Sequence, residues 1–204
     1  MLRLKTTSLI LVLLTLSKGY GQGIANPFLA LKEKGEIIYG LDNRRTHIKR
    51  DQTVIYGLYL GFGFGKKLRY KLEVSGTPFE VGRVTDINGI STRSRLLFFS
   101  LGEEFDFYHF KKFGITTYLQ AGVGNNFYKE LDINGVEIKN GSELIIPIET
   151  GLHFSYELKS YLTLKTGFGW RFILPTYSKD LSGYYVKFGL GFNLKKFKDT
   201  KAIK

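Results

Sequence analysis

His153, Phe154 and Ser155 set an imidazole and a hydroxyl two residues apart, with Glu149 upstream and Glu157 downstream. Two-residue spacing puts His153 and Ser155 on one face of a strand. A serine beside a histidine, with a carboxylate nearby, is the group set for nucleophilic acyl chemistry. A histidine held by hydrogen bonds inside the fold leaves the same short pattern and is the simpler account. His47 and His109 fall in loop and turn regions and point to no chemistry of their own.

Other chemistries lack their residues. The chain has no Cys, so disulfides, thiolate metal sites and a lipid-modified N-terminal Cys are out of reach. Three scattered His do not suggest a histidine-built metal centre. No cofactor is expected. Gly61–Gly65 is not a nucleotide loop, because no helix follows it. Asp86-Ile-Asn-Gly89 and Asp132-Ile-Asn-Gly135 form a small internal repeat with too few oxygen ligands for calcium. Each Asn-Gly reads as a two-residue type I′ hairpin. Such hairpins are plain surface loops, or contact a partner by edge pairing.

The elements that must position these residues follow from pattern. Hydrophobic residues make up 43% of 204, with 24 Gly, 17 Phe and 13 Tyr but four Pro. That balance excludes disorder and suits strands. Arg3 and Lys5 precede an apolar run, Ser8–Leu16, and then Ser17, Gly19 and Gly21. This is the layout of a secretory signal peptide over residues 1–21, cleaved after Gly21. The run is about half the roughly 20 residues of a spanning helix, and no later segment approaches the roughly 18 consecutive apolar residues of one. A membrane protein of this sequence must therefore cross with strands.

Period-2 alternation recurs in Glu36–Asp42, Val54–Gly65, Lys67–Ser75, Leu96–Tyr108, Phe113–Asn126, Glu143–Glu157, Tyr161–Phe172 and Gly183–Leu194. The fourth run is irregular and suggests a bulge near Gly102–Glu104. Links alternate in length. Lys66–Lys67, Lys111–Lys112 and Leu158–Ser160 are tight; Asn43–Gln52, Gly76–Arg93, Phe127–Ser142 and Ile173–Ser182 are long. Short turns at one end and long loops at the other predict an all-β, eight-stranded antiparallel up-and-down transmembrane barrel. It would span residues 35–197, after a periplasmic segment 22–34 and before a basic tail 198–204.

Alternation alone does not say which face is wet, since a soluble lipocalin-like barrel has the same period with its apolar face inside. So many large apolar side chains would overfill an eight-stranded interior. Gly-x-Gly at 61/63, 122/124, 167/169 and 189/191 would make room inside for Arg and Lys. Tyr39, Tyr56, Phe113, Tyr156, Trp170, Phe172 and Tyr184 fall near strand ends, where aromatic girdles lie. The predicted interior holds Lys67, Arg69, Lys71, Lys165, Arg171 and Lys187. Against them stand Glu36, Asp42, Glu73, Glu104, Asp106, Glu149 and Glu157. Buried ions need partners, so these predict a closed, charge-paired filling rather than a conducting path.

Lys187–Leu194 reads Lys-Phe-Gly-Leu-Gly-Phe-Asn-Leu. Through Lys187, Gly189, Phe192 and Leu194 it resembles the final-strand signal that outer-membrane barrels present to the barrel assembly machinery. The mature chain is similar in architecture to small barrels of the OmpA/OmpX type. It departs from many of them by continuing beyond Phe197. Its cleavage region and aromatic-rich strands resemble Bacteroidetes outer-membrane proteins. Some eight-stranded barrels modify lipid A, and the His153/Ser155 pair resembles the His-x-Ser of one such class.

These resemblances imply outer-membrane lipid and lipopolysaccharide as surroundings. The net charge of +12 gives that an electrostatic basis. Arg44, Arg45, Lys49 and Arg50 would lie in the first outer loop near lipopolysaccharide phosphates. Lys195, Lys196, Lys198, Lys201 and Lys204 would lie at the opposite end. Nucleic acid is not an expected partner, because no recognition motif is present. The leading expectation is a non-enzymatic structural or interaction barrel. A lipid A-modifying enzyme, a soluble ligand-binding barrel and an accessory subunit of a secretion or assembly complex are the alternatives.

Overall fold

The computed structural model describes residues 31–32, 34–48, 51–65, 67–85, 89–175, 181–195 and 197. The signal-peptide reading over 1–21, Lys49, Arg50, Asp86–Asn88, Lys196 and the tail from 198 lie outside them. The strands are β1 (Gly35–Ile48), β2 (Asp51–Phe64), β3 (Leu68–Gly76), β4 (Val81–Thr85), β5 (Ser91–Phe110), β6 (Phe113–Leu131), β7 (Glu137–Lys159), β8 (Leu162–Leu174) and β9 (Gly183–Asn193).

All pairings are antiparallel. They run β1–β2–β3–β5–β6–β7–β8–β9 and return to β1 along a register from Ile38↔Asn193 to Thr46↔Tyr185. Eight strands thus close a ring. β4 prolongs the line of β3: β5 pairs with β3 from Phe105 to Leu97 and with β4 from Ser94 to Ser91. The line breaks at Thr77-Pro78. Proline has no N–H for the ladder. Thr77 covers the break by donating its N–H to the Leu96 carbonyl and accepting the Leu96 N–H on Oγ1, both at 3.0 Å.

The two faces are inverted relative to a soluble barrel. Leu58, Phe62, Leu72 and Leu101 are 61%, 55%, 66% and 60% exposed, whereas Arg44, Glu104, Glu149 and Arg171 are fully buried. Apolar side chains form the outer belt and charges the interior, as in transmembrane barrels. Among the described residues no helix is long and apolar enough to cross a membrane. Aromatic contacts gather towards both rims of the belt. Phe113 and Tyr156 lie 4.8 Å apart near the short-turn end, and Trp170 and Tyr184 lie 6.3 Å apart towards the other.

Several details differ from the sequence expectation. β1 runs to Ile48 and β2 starts at Asp51, so Asn43–Gln52 is mostly hairpin, not loop. Alternation in β5 continues unbroken through Gly102–Glu104; the bulge lies between Asp106 and Tyr108. The Asp132–Gly135 turn is not type I′. Only Gly135 has positive φ (79°), and its N–H donates to the Asp132 carbonyl at 2.9 Å. A type I turn followed by a left-handed Gly forms a three-residue hairpin loop. The Asp132 carboxylate stabilises it by accepting N–H bonds from Asn134 and Val136.

β5, β6 and β7 have 20, 19 and 23 residues, about twice the span of a bilayer. With β4 they rise past the outer end of the belt. There Lys129 bridges Glu80 at 3.0 Å and Glu137 at 3.7 Å.

Candidate functional site

Alternation along each strand aims every second side chain inward, and the register decides which of these meet. At the long-loop end the interior is apolar. Ile48, Ile55, Leu96, Phe98, Ile145, Ile173 and Leu181 pack there, all 2% exposed or less. Below them lie two carboxylate centres. Glu149 accepts from Gln120 Nε2 at 2.9 Å, with Arg44 at 3.2 Å and Arg171 at 3.7 Å. Arg44 also pairs with Glu73 and lies 3.3 Å from Asp42, and Asp42 holds Lys187 at 2.6 Å. Gly57 leaves the space in which Asp42 and Glu73 approach.

Nearer the short-turn end Glu104 takes Lys71 at 2.6 Å and Lys165 at 2.7 Å, from opposite walls of the barrel. Asp106 accepts from Arg69 at 3.0 Å and from Thr116 at 2.6 Å. A cavity of about 70 Å³ opens beneath, lined by Glu36, Tyr59, Arg69, His109, Ser155 and Lys165 among others. Isolated ions in such a place would be expensive; here each anion faces two or more hydrogen-bond donors.

The expected interior residues Arg69, Lys71, Glu73, Glu149, Lys165, Arg171 and Lys187 are brought together in these two groups. Two expectations are corrected. Lys67 is exposed, because it sits in the turn before β3 begins at Leu68. Arg44 is not on an outer loop but fully buried, because β1 continues past it with the same alternation. Arg45, its neighbour, does face out.

His153 and Ser155 both face inward, 1% and 8% exposed. His153 stacks on Tyr118 with centroids 4.0 Å apart. The carboxylate it meets is Glu104 of β5, with Nδ1 at 3.5 Å, rather than Glu149 or Glu157 of its own strand. Residues four apart on one strand are about 13 Å distant, farther than a side chain from another wall. Among the described residues no cluster of three or more side chains could hold a metal ion. In the last strand Lys187 is buried, Phe192 stacks on Tyr39 at 5.3 Å, and Leu194 follows the strand end at Asn193.

The sequence reading missed three interior tyrosines. Tyr118 and Tyr185 hydrogen-bond hydroxyl to hydroxyl, and Tyr59 lies beneath Lys71, 4.6 Å from the ring centroid. The glycines serve these rings more than the cations. A side chain at Gly169 or Gly151 would strike Tyr118, and one at Gly40 or Gly191 would strike Tyr59. The available signal was position: each of the three sits out of phase with the apolar set of its own run.

Solved outer-membrane proteins are similar to this chain in fold. The major outer membrane protein of Thermus thermophilus superposes with a TM-score of 0.54 at 9% identity, over 79% of this chain and 100% of that one. The fold is that of an outer-membrane barrel. Neisserial surface protein A gives 0.45 at 12% identity, and Ail of Yersinia pestis, solved with the heparin analogue sucrose octasulfate, gives 0.47 at 13%. Each of these two covers 78% of this chain and 97% of its own. At such identities the likeness is one of fold. No protein-family model matches the chain. No curated protein matches it either.

Proposed function

We propose that this chain is an integral outer-membrane barrel with a non-enzymatic, structural or interaction role, exported by residues 1–21. Its interior is closed, and its protruding hairpins carry whatever partner specificity it has. The carrying observation is the inverted distribution of side chains: Leu58 and Phe62 lie open on the outside while Arg44, Glu104, Glu149 and Arg171 are sealed within. In water that arrangement exposes a broad apolar belt and buries ions; in lipid it satisfies both.

Two features favour the closed, non-catalytic reading. The paired charges and the apolar cluster at Phe98 occupy the cross-section an ion would need. His153 faces this filled interior and Ser155 the small cavity beneath it, both away from the belt where acyl chains would lie. The tail and final-strand signal fit a chain delivered to the assembly machinery from the periplasm, with lipopolysaccharide around the outer rim.

Cell fractionation tests the location: the protein should follow the outer membrane and require detergent for release. Planar-bilayer recording tests closure, with no steady conductance expected. Lipid A isolated from cells expressing the wild type and Ser155→Ala should be identical. A conducting channel, or lipid A altered only by the wild type, contradicts the respective part.

A further inference from the structure

Glu103 interrupts the apolar exterior. Outward positions on β5 run Leu97, Phe99, Leu101, Glu103 and Phe105, then Tyr108 and Phe110 beyond the bulge. Three apolar side chains therefore separate Glu103 from either end of the belt, roughly 20 Å of strand each way. Its neighbours Gly102 and Glu104 are buried, so Glu103 points out, and it is exposed. Across the sheet it faces Tyr70 of β3 and Leu119 of β6.

A carboxyl group in hydrocarbon must find a partner. The ion pairs made by β5 acids among the described residues use Glu104 and Asp106. Of the outward cations, Arg45 and Arg95 sit at the long-loop end of their strands; Arg95 is about 26 Å of strand away. Lys67 is exposed in the turn before β3, where its carbonyl accepts the Asp106 N–H three residues beyond Glu103. Among the described residues no outward cation stands in Glu103's own cross-strand row, which holds Tyr70 and Leu119, so a cation directly opposite it in a second copy is not on offer. Self-pairing is. A protonated carboxyl is both donor and acceptor, and a two-fold dimer sets a surface group against its own copy.

The surroundings suit that contact. Tyr70 lies directly opposite, and Thr117, one outward row away on β6, turns its hydroxyl to the Phe105 carbonyl. Beside them Ala121 and Gly122 floor a shallow apolar groove walled by Leu60, Leu72, Leu101 and Val123. We propose that two copies of this chain pair in the membrane through the β3–β5–β6 face, with the two Glu103 carboxyls hydrogen-bonded to each other at its centre. This rests on the membrane placement proposed above.

The chain lacks Cys, so single-Cys variants report the interface cleanly. In phosphatidylcholine vesicles Leu101→Cys should be captured as a dimer by a short bis-maleimide, while Phe188→Cys on β9 should not. Energy transfer on lipid dilution should show Glu103→Leu weakening the dimer about tenfold. Glu103→Gln, whose amide also self-pairs, should keep most of it. Heat-modified gel mobility verifies that each variant is folded. Equal dimerisation by Glu103→Leu, or equal capture at Phe188→Cys, overturns the pairing. Protein that floats with vesicles yet stays monomeric overturns the pairing alone. Protein that never associates with vesicles overturns the membrane reading and the pairing with it.

Discussion

Lys187 Nζ lies 2.6 Å from Asp42 Oδ2, with both side chains about 2% exposed. Asp42 is on β1 and Lys187 on β9, so this buried pair spans the seam where the last strand closes on the first. Removing one member leaves an ion in the interior with fewer partners. Lys187→Met should cost about 3 kcal/mol, the low end for a broken buried pair, because Arg44 still faces Asp42. Urea unfolding in lipid vesicles measures it. The double variant Asp42→Asn/Lys187→Met should recover part of the loss; a further additive loss would contradict the pairing.

Two glycines should respond oppositely to alanine. At Gly169 a methyl group would meet the Thr150 carbonyl and the hydroxyls of Tyr118 and Tyr185; at Gly183 it meets nothing within 4 Å. Gly169→Ala should cost about 1–3 kcal/mol by overpacking. Gly183→Ala should stay within about 0.5 kcal/mol of wild type. Equal effects in the same unfolding assay would mean that the interior tyrosines do not sit where described.

Exposed leucine and isoleucine should also separate by environment. Leu58 is 61% exposed in the belt and Ile133 is 84% exposed at the β6–β7 hairpin tip. Leu58→Arg should cost about 2–4 kcal/mol in a bilayer, since it carries a charge into hydrocarbon. Ile133→Arg should change stability by about 0.5 kcal/mol or less, since that site is in water. A benign Leu58→Arg would speak against lipid around the belt.

Alternation made the wall legible from sequence. Leu58, Leu60 and Phe62 face one way and Lys71, Lys165, Arg171 and Lys187 the other, as their spacing requires. The partners were not legible. Glu104 gathers Lys71 from β3 and Lys165 from β8 across the barrel, a meeting set by ring closure and side-chain reach rather than by any local pattern. The outer half of β1 was hidden for another reason. Around Arg44, Arg45 and Thr46 both faces are polar, so no period-2 contrast marks the strand. Tyr118 and Tyr185 escaped because each lies next to an apolar residue of the opposite face, Leu119 and Tyr184.

Trp170 is the single tryptophan of the chain, and it faces outward at 43% exposure. Its fluorescence therefore tests most directly what surrounds the belt. In vesicles of brominated phosphatidylcholine the emission should be strongly quenched, most by bromines placed high on the acyl chains, and aqueous iodide should have little effect. Emission indifferent to lipid bromine and readily quenched by iodide would contradict the account.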